Sequence, residues 1–233
     1  MRVVVLTGAG ISAESGLPTF RDADGLWEGH RPEQVATPEA YAAEPGLVHR
    51  FYDARRAALL TVSPNPAHEA LARLEGVLGD ELSLVTQNVD DLHERAGSTR
   101  VRHLHGELRK ARCTSCSGVH PWDADLADRP PCPACGATAL RPHVVWFGEV
   151  PHGLDDVAGT LETADLFVSI GTSGSVYPAA GFVQVAREVG AATLELNLVP
   201  SEGSAWFDEA RHGPASELVP AWVDELVGRG PVS

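Results

Sequence analysis

The sequence predicts an α/β fold with a mainly parallel sheet, interrupted by two insertions. Three observations carry this. Short β-branched runs alternate with helical patterns along the chain. A glycine-rich turn directly follows the first apolar run. All four cysteines fall in one short window.

The first strand is expected over residues 3–6, a run of three valines and a leucine. Further strands are expected over 82–86, 143–147, 166–170 and 193–196, with a short one over 102–104. A helix is expected over 47–60. Another is expected over 67–78, where Leu71, Leu74 and Leu78 share a stripe and Asn65-Pro66 supplies the cap and first turn. Helical patterns also span 178–189 and 216–227. Segment 29–65 and the cysteine window break the alternation, so they are expected to sit together beside the main sheet.

At 233 residues the chain has room for one large domain, or a main domain with a smaller module. It carries 18 Lys+Arg against 32 Asp+Glu, a formal net charge of −14. That balance argues against nucleic-acid or anionic-membrane binding, which needs clustered cations. It suits basic partners, such as lysine-bearing segments of other proteins. No apolar run reaches the ~18 residues of a membrane span. No basic segment leads into an apolar stretch with a cleavage site, so a cytoplasmic location is expected.

Cys113, Cys116, Cys132 and Cys135 have the spacing C-x2-C-x15-C-x2-C. Each C-x-x-C turn can aim two thiolates at one centre, and two turns complete a tetrahedral set. Two disulfides are the alternative, and a cytosolic chain disfavours them. With four sulfurs no position is open to water or substrate, so one structural zinc is expected. The surrounding sequence is turn-rich and poor in apolar residues, so the metal is expected to hold its shape.

Gly8-Ala9-Gly10-Ile11-Ser12-Ala13 follows the first strand as a G-x-G-x-x-A. Such a loop brings backbone N–H groups to a pyrophosphate. A hydride-transfer dehydrogenase would continue with a helix, a second strand and an acidic residue about 20 positions on. Here Glu14-Ser15-Gly16-Leu17-Pro18-Thr19-Phe20-Arg21 is broken by Gly and Pro and runs on to Gly25-Leu26-Trp27. The nicotinamide end of a dinucleotide is therefore expected to meet this long loop. Arg21 can pair with a phosphate and Phe20 can cover a ribose. Glu195, with Asn197 beside it, is the candidate acidic ribose partner.

In this order, Gly8-Ala9-Gly10-Ile11-Ser12, Pro18-Thr19-Phe20-Arg21, Gln87-Asn88-Val89-Asp90, Leu104-His105-Gly106, the four cysteines, Gly171-Thr172-Ser173 and Glu195-Leu196-Asn197 resemble the sirtuin family of NAD-dependent protein-lysine deacylases. The resemblance implies a Rossmann-type NAD-binding domain (1–28, 66–106 and 144–233). It also implies a small domain made of a helical insert (29–65) and a zinc-ribbon module (107–143). NAD would touch residues 8–14, Pro18, Thr19, Phe20, Arg21, Trp27, 87–90, 171–173, Asn197, Leu198, Val199 and Ala215. Within these, Ala13, Glu14 and Val89 complete the loops named above.

The resemblance also implies the chemistry. The acyl-lysine oxygen attacks C1′ of the nicotinamide ribose, nicotinamide leaves, and a general base activates a ribose hydroxyl. The products are free lysine, nicotinamide and O-acyl-ADP-ribose. His103 and His105 lie on one extended face and spacing alone does not choose between them; the family pattern selects His105 as base, with Asn88 beside it as the second catalytic group. Val145, Trp146, Phe147 and Gly148 match the stretch that pairs with the substrate peptide as an added strand. Tyr52 and Arg55 share a helix face at i, i+3. On spacing alone they read as a half-buried aromatic and a surface arginine. With Ala36 upstream they resemble the class that removes succinyl and malonyl groups, Arg55 offering a fork to a carboxylate. A protein ADP-ribosyltransferase on the same scaffold, or a non-catalytic NAD-sensing module, are the rival readings. A monomer is expected.

Overall fold

The computed structural model describes residues 1–19 and 29–228. Strand β1 (Val3–Thr7) leads through the glycine turn into the one-turn helix α1 (Gly10–Ala13). Three helices follow: α2 (Pro32–Val35), α3 (Pro38–Ala43) and α4 (Pro45–Leu59). The chain returns through α5 (Pro66–Leu78), β2 (Leu82–Thr86), α6 (Leu92–Arg95) and β3 (Val101–His103). Strands β4 (Gly106–Cys113), β5 (Val119–Pro121) and β6 (Leu140–Val144) come next. The last part runs α7 (Leu154–Leu161), β7 (Leu166–Ile170), α8 (Phe182–Glu188), β8 (Ala192–Asn197), β9 (Glu209–His212) and α9 (Ala215–Gly228).

Pro32, Pro38, Pro45 and Pro66 each open a helix, where the missing N–H costs nothing and φ is already helical. The Asn65 side chain caps α5 by accepting from Ala67 N at 3.0 Å.

Among the described residues the main sheet has six parallel strands in the order β3-β2-β1-β7-β8-β9. The valines and leucine of β1 alternate between its faces. Val3 and Val5 join Leu71 and Leu74 of α5 and Val219, Trp222 and Val223 of α9. Val4 and Leu6 join Val157 and Leu161 of α7 and Phe182 and Val183 of α8. The chain fills the β2–β3 side first and the β7–β9 side later, so a switch point lies between β1 and β7. Loops at the C-terminal ends of such strands diverge there and leave a crevice.

The strand expected over 143–147 differs in extent and in partner. It is β6, ending at Val144, and it pairs antiparallel with β4 in a separate three-stranded sheet of order β5-β4-β6. A buried apolar run fits either sheet by pattern, and only long-range pairing decides. Strand β4 was not expected. Its charged residues Glu107, Arg109, Lys110 and Arg112 and its register shift between Gly106 and Ala111 hide the alternation.

The two insertions do sit together. Val35, Val48, Phe51, Tyr52 and Leu59 of the helices share one core with Leu108 of β4, Val144 of β6 and Trp146. A buried ion pair ties them further. Arg56, 1% exposed, donates to Asp53 Oδ1 at 2.8 Å, Leu108 O at 3.0 Å and Ala124 O at 3.2 Å. Asp53 in turn accepts from the N–H groups of Leu126 and Ala127, the nearest at 2.9 Å for each. Among the described residues no helix is long and apolar enough to cross a membrane.

Removing one member of a buried ion pair strands the other. Asp53→Ala is therefore expected to lower unfolding free energy by about 3–5 kcal/mol, read from urea denaturation. A loss below about 1 kcal/mol, the range of an exposed pair, would contradict the clamp.

Candidate active site

A cleft of about 1050 Å³ opens where the strand order reverses, between β1 and β7. Its floor comes from the strand ends: Gly8, Ala9 and Gly10 after β1, Gln87 to Asp90 after β2, Gly171, Thr172 and Ser173 after β7, and Asn197, Leu198 and Val199 at and after β8. Ser12, Ala13, Glu14, Pro18, Thr19 and Ala215 also line it. Its other wall comes from the helical insert, with Ala36, Tyr52 and Arg55, and from the segment after β6, with Val145, Trp146, Phe147 and Gly148; His105 lies between the two walls.

The floor is backbone packed on backbone. Gly8 N donates to Ile170 O at 2.9 Å and Gly10 N to Gly171 O at 2.8 Å. A Cβ on Gly10 would lie 2.7 Å from Gly171 Cα, and one on Gly171 would lie 2.4 Å from Ile11 N. Glycine is needed at both for this approach alone, whatever ligand lies above. A concave backbone surface of this kind, at the ends of four parallel strands, fits a dinucleotide.

Not every expected contact residue faces the cleft. Ile11 is fully buried and packs into the core with Leu71 and Leu74, because its side chain points down from the one-turn helix toward the sheet. Glu195 is also absent from the cleft wall. Its carboxylate accepts from the Ser201 hydroxyl and from Ser204 Oγ at 2.6 Å, so it is turned into the protein. Phe20, Arg21 and Trp27 lie outside the described residues. Glu14 is at the cleft edge, accepting from the Ser216 hydroxyl and from Ser216 N at 3.0 Å, at the start of α9.

Beneath the cleft a polar network holds Asn88 and Asp90. Asn88 Nδ2 donates to Gly8 O and Ser12 Oγ, each at 3.2 Å. Ser12 donates to Asp90 Oδ2 at 3.0 Å. Burial raises the pKa of Asp90, against the Leu92 N–H and the Ser12 hydroxyl that stabilise its charge.

The two histidines separate cleanly. His103 Nδ1 donates to Asn88 O at 3.0 Å and Nε2 to Glu94 Oε1 at 2.8 Å. Burial opposes its charge, yet Glu94 and the Asn88 carbonyl raise its pKa, and it is absent from the cleft wall. His105 faces the cleft. Its Nδ1 lies 3.0 Å from Gln87 O, and a carbonyl only accepts, so Nδ1 carries the proton. Nε2 then holds the lone pair. Burial lowers the pKa of His105, opposed by the Gln87 hydrogen bond and aided by His152. Gly106, at φ +80°, allows the chain to turn there; a Cβ would lie 2.1 Å from His143 O.

On the opposite wall Trp146 Nε1 donates to Tyr52 Oη at 3.0 Å. Burial raises the Tyr52 pKa, and the nearby Arg55 charge opposes this. The Arg55 guanidinium carbon lies 5.7 Å from the Phe51 ring centroid. Segment 145–148 is held by Val145 N donating to His105 O at 2.8 Å and Phe147 N to Ala36 O at 3.0 Å. A brace unseen in the sequence steadies it. Arg141 grips both Glu149 oxygens at 2.7 and 2.8 Å and stacks 3.3 Å from the Trp146 ring centroid. Opposite charges flanking the apolar run were the available signal. Ser175, Val176 and Tyr177 were also missed, although they follow a strand end, where ligands of such sheets bind.

The four cysteine sulfurs lie within 4.8 Å of one another, with Cys113–Cys135 at 3.7 Å and Cys116–Cys132 at 3.8 Å. None is in a disulfide. A tetrahedron with Zn–S bonds of about 2.3 Å has S···S edges of about 3.8 Å. The set fits one closed structural zinc.

A family model described as "Sir2 family" matches residues 8–178. The chain is 58% identical over 228 residues to the NAD-dependent protein deacylase of Yersinia pestis, covering 97% of this chain and 82% of that one. It is 57% identical over 233 residues to the enzyme of the same name from Caulobacter vibrioides, covering 98% of both. Among solved structures it is similar to a Sir2 homologue in complex with NAD, with a TM-score of 0.89, 42% identity and coverage of 98% and 90%. It is also similar to Sir2 bound to acetylated peptide, with a TM-score of 0.82, 29% identity and coverage of 97% and 93%.

One equivalent of zinc is expected to copurify with the protein. Cys132→Ser should release it and lower the melting temperature, read by metal analysis and calorimetry. A metal-free protein with unchanged melting would contradict a structural site.

Proposed function

Because the chain belongs to the Sir2 family and is an NAD-dependent protein deacylase, we propose that it removes succinyl and malonyl as well as acetyl groups from protein lysines. The observation that carries this reading is that Tyr52 and Arg55 line the same cleft as His105 and segment 145–148. An acyl chain reaching from lysine toward that wall would meet the cation and the phenol together. Small Ala36, on the same wall, leaves room for it.

NAD, held across the strand ends, would supply the electrophilic ribose carbon and accept the acyl group, with one water consumed to release the lysine amine, so that free lysine, nicotinamide and O-acyl-ADP-ribose are the products. Residues 8–10, 171–173 and 197–199 would hold its phosphates and adenosine half. Asn88 and Asp90 would orient the reacting ribose, and segment 145–148 would align the peptide backbone beside it. His105 Nε2, unprotonated, would take the proton of a ribose hydroxyl. Its Nδ1 bond to Gln87 O fixes the tautomer this requires.

His105→Ala is expected to retain NAD binding and lose about 10²–10⁴-fold in turnover, the range for a positioned base. His103→Ala should do far less, and the opposite ranking would overturn the assignment. The pH profile follows from the sign of the shift. A base whose pKa is lowered stays neutral further into acid, so the acid limb of kcat/KM should lie below about 6.5, the ordinary imidazole value.

Arg55 tests the acyl class. A charge-assisted hydrogen bond is worth about 1.5–3 kcal/mol, so Arg55→Met should cost about 10–150-fold in kcat/KM on succinyl-lysine peptide. Deacetylation should change little, since an acetyl group has no carboxylate. Tyr52→Phe should act in the same direction with a smaller effect. The measurement is the ratio of desuccinylation to deacetylation; an equal fall in both would leave a plain deacetylase.

A further inference from the structure

We propose that Glu195 is a positioning residue for the NAD side of the cleft. Its buried carboxylate anchors the loop that follows β8, and NAD affinity rather than chemical turnover depends on it. This rests on the reading of the cleft as the NAD site.

The loop over residues 198–204 contributes Leu198, Val199, Ser201 and Glu202 to the cleft wall. Its tip has no apolar anchor: Leu198 and Val199 are 67% and 63% exposed. What holds it is polar and lies at its base. Glu195, on β8 between Ser169 of β7 and Ala210 of β9, is 1% exposed. A carboxylate so buried must have its oxygens hydrogen-bonded, and here the loop supplies the donors. The Ser201 hydroxyl donates to Oε1 and the Ser204 hydroxyl to Oε2 at 2.6 Å, with His212 Nε2 3.3 Å from Oε2.

With Ser201 drawn inward, its Oγ accepts from Gly203 N at 3.2 Å, and both atoms press on the neighbouring loop. A Cβ on Gly174, at φ +69°, would lie 2.8 Å from Gly203 N and 3.0 Å from Ser201 Oγ. Glu202 N donates to Ser173 O at 3.1 Å, and Asn197 Nδ2 to Thr172 O at 2.8 Å. The loops after β7 and β8 are thus zipped together, and Glu195 is the buried end of the fastening. None of these contacts reaches His105, Asn88 or Asp90, so the effect should fall on binding.

The experiment compares Glu195→Gln, Glu195→Ala and Ser204→Ala with wild type. NAD and acetyl-lysine peptide are varied in turn, and ADP-ribose binding is measured by calorimetry. Glu195→Ala should raise the KM for NAD and the Kd for ADP-ribose by about tenfold or more, since hydrogen bonds to a charged group are lost. Its kcat at saturating NAD should stay within about twofold, the signature of lost uniform binding. The peptide KM should not move. Glu195→Gln should fall between, because its one amide oxygen still accepts from a serine, and Ser204→Ala should move NAD binding in the same direction. If Glu195→Ala does not fold, the other two variants carry the comparison. Unchanged NAD KM in Glu195→Gln and Ser204→Ala, or a fall in kcat with NAD KM unmoved, would overturn the proposal. Wild-type protein that turns over NAD beside such variants would sink this inference alone; wild-type protein that consumes no NAD would sink the reading beneath it.

Discussion

The contact between two glycine segments at the centre of the sheet governs the rest of the molecule. Gly10 and Gly171 approach so closely that neither tolerates a Cβ, and a hydrogen bond of 2.8 Å joins them. This is possible only because β1 and β7 are adjacent and parallel, in register from Val3–Leu166 to Thr7–Ile170. The contact brings the turn after β1 against the turn after β7, and the cleft floor is the surface they make together. Residues 8–10, 87–90, 171–173 and 197–199 each leave a strand within a few residues of that floor.

The other wall is built independently and must be fastened on. The helical insert and the antiparallel sheet bury one apolar core between them, and the Asp53–Arg56 pair, carried by α4, bonds across it to backbone at Leu108, Ala124 and Leu126. That arrangement has a consequence for chemistry. Tyr52 lies one residue before Asp53 on α4 and is fully buried, its hydroxyl held by Trp146, which is itself held by Arg141 and Glu149. Tyr52, proposed to meet the acyl group, is therefore set by a core and a salt bridge, not by a flexible loop. Preorganisation of this kind lowers the entropic cost of gripping a substrate.

Much of this was legible in the sequence, for identifiable reasons. The parallel strands β1, β2, β7 and β8 are apolar runs with plain boundaries, whereas β9 has no such run and was not expected, and the cysteine spacing is a local geometric signal. The pattern Leu104-His105-Gly106 pointed to the histidine that faces the cleft, where spacing alone left His103 open. What was not legible depends on long-range pairing. Residues 140–144 belong to the small sheet because β4 pairs with them, and β4 itself is disguised by charge and a bulge. Glu195 has the residue type and strand-end position of a ribose partner, yet the serines six and nine residues later claim its oxygens. Ile11 lies inside the glycine motif, yet the turn of α1 sends it into the core.

The tautomer of His105 turns on a single backbone carbonyl. Gln87 O, one residue beyond β2, accepts a hydrogen bond from the Nδ1–H of His105 and so leaves Nε2 bare, while burial disfavours the imidazolium. His103, two residues earlier, meets a carboxylate and a carbonyl and is biased the other way. The ¹⁵N spectrum of the histidine side chains, assigned through His103→Gln and His105→Gln, reads this difference directly. At neutral pH His105 should show a protonated Nδ1 and an unprotonated Nε2. An imidazolium at His105 under those conditions, or a proton on Nε2 in its place, would contradict the assignment of His105 as the base.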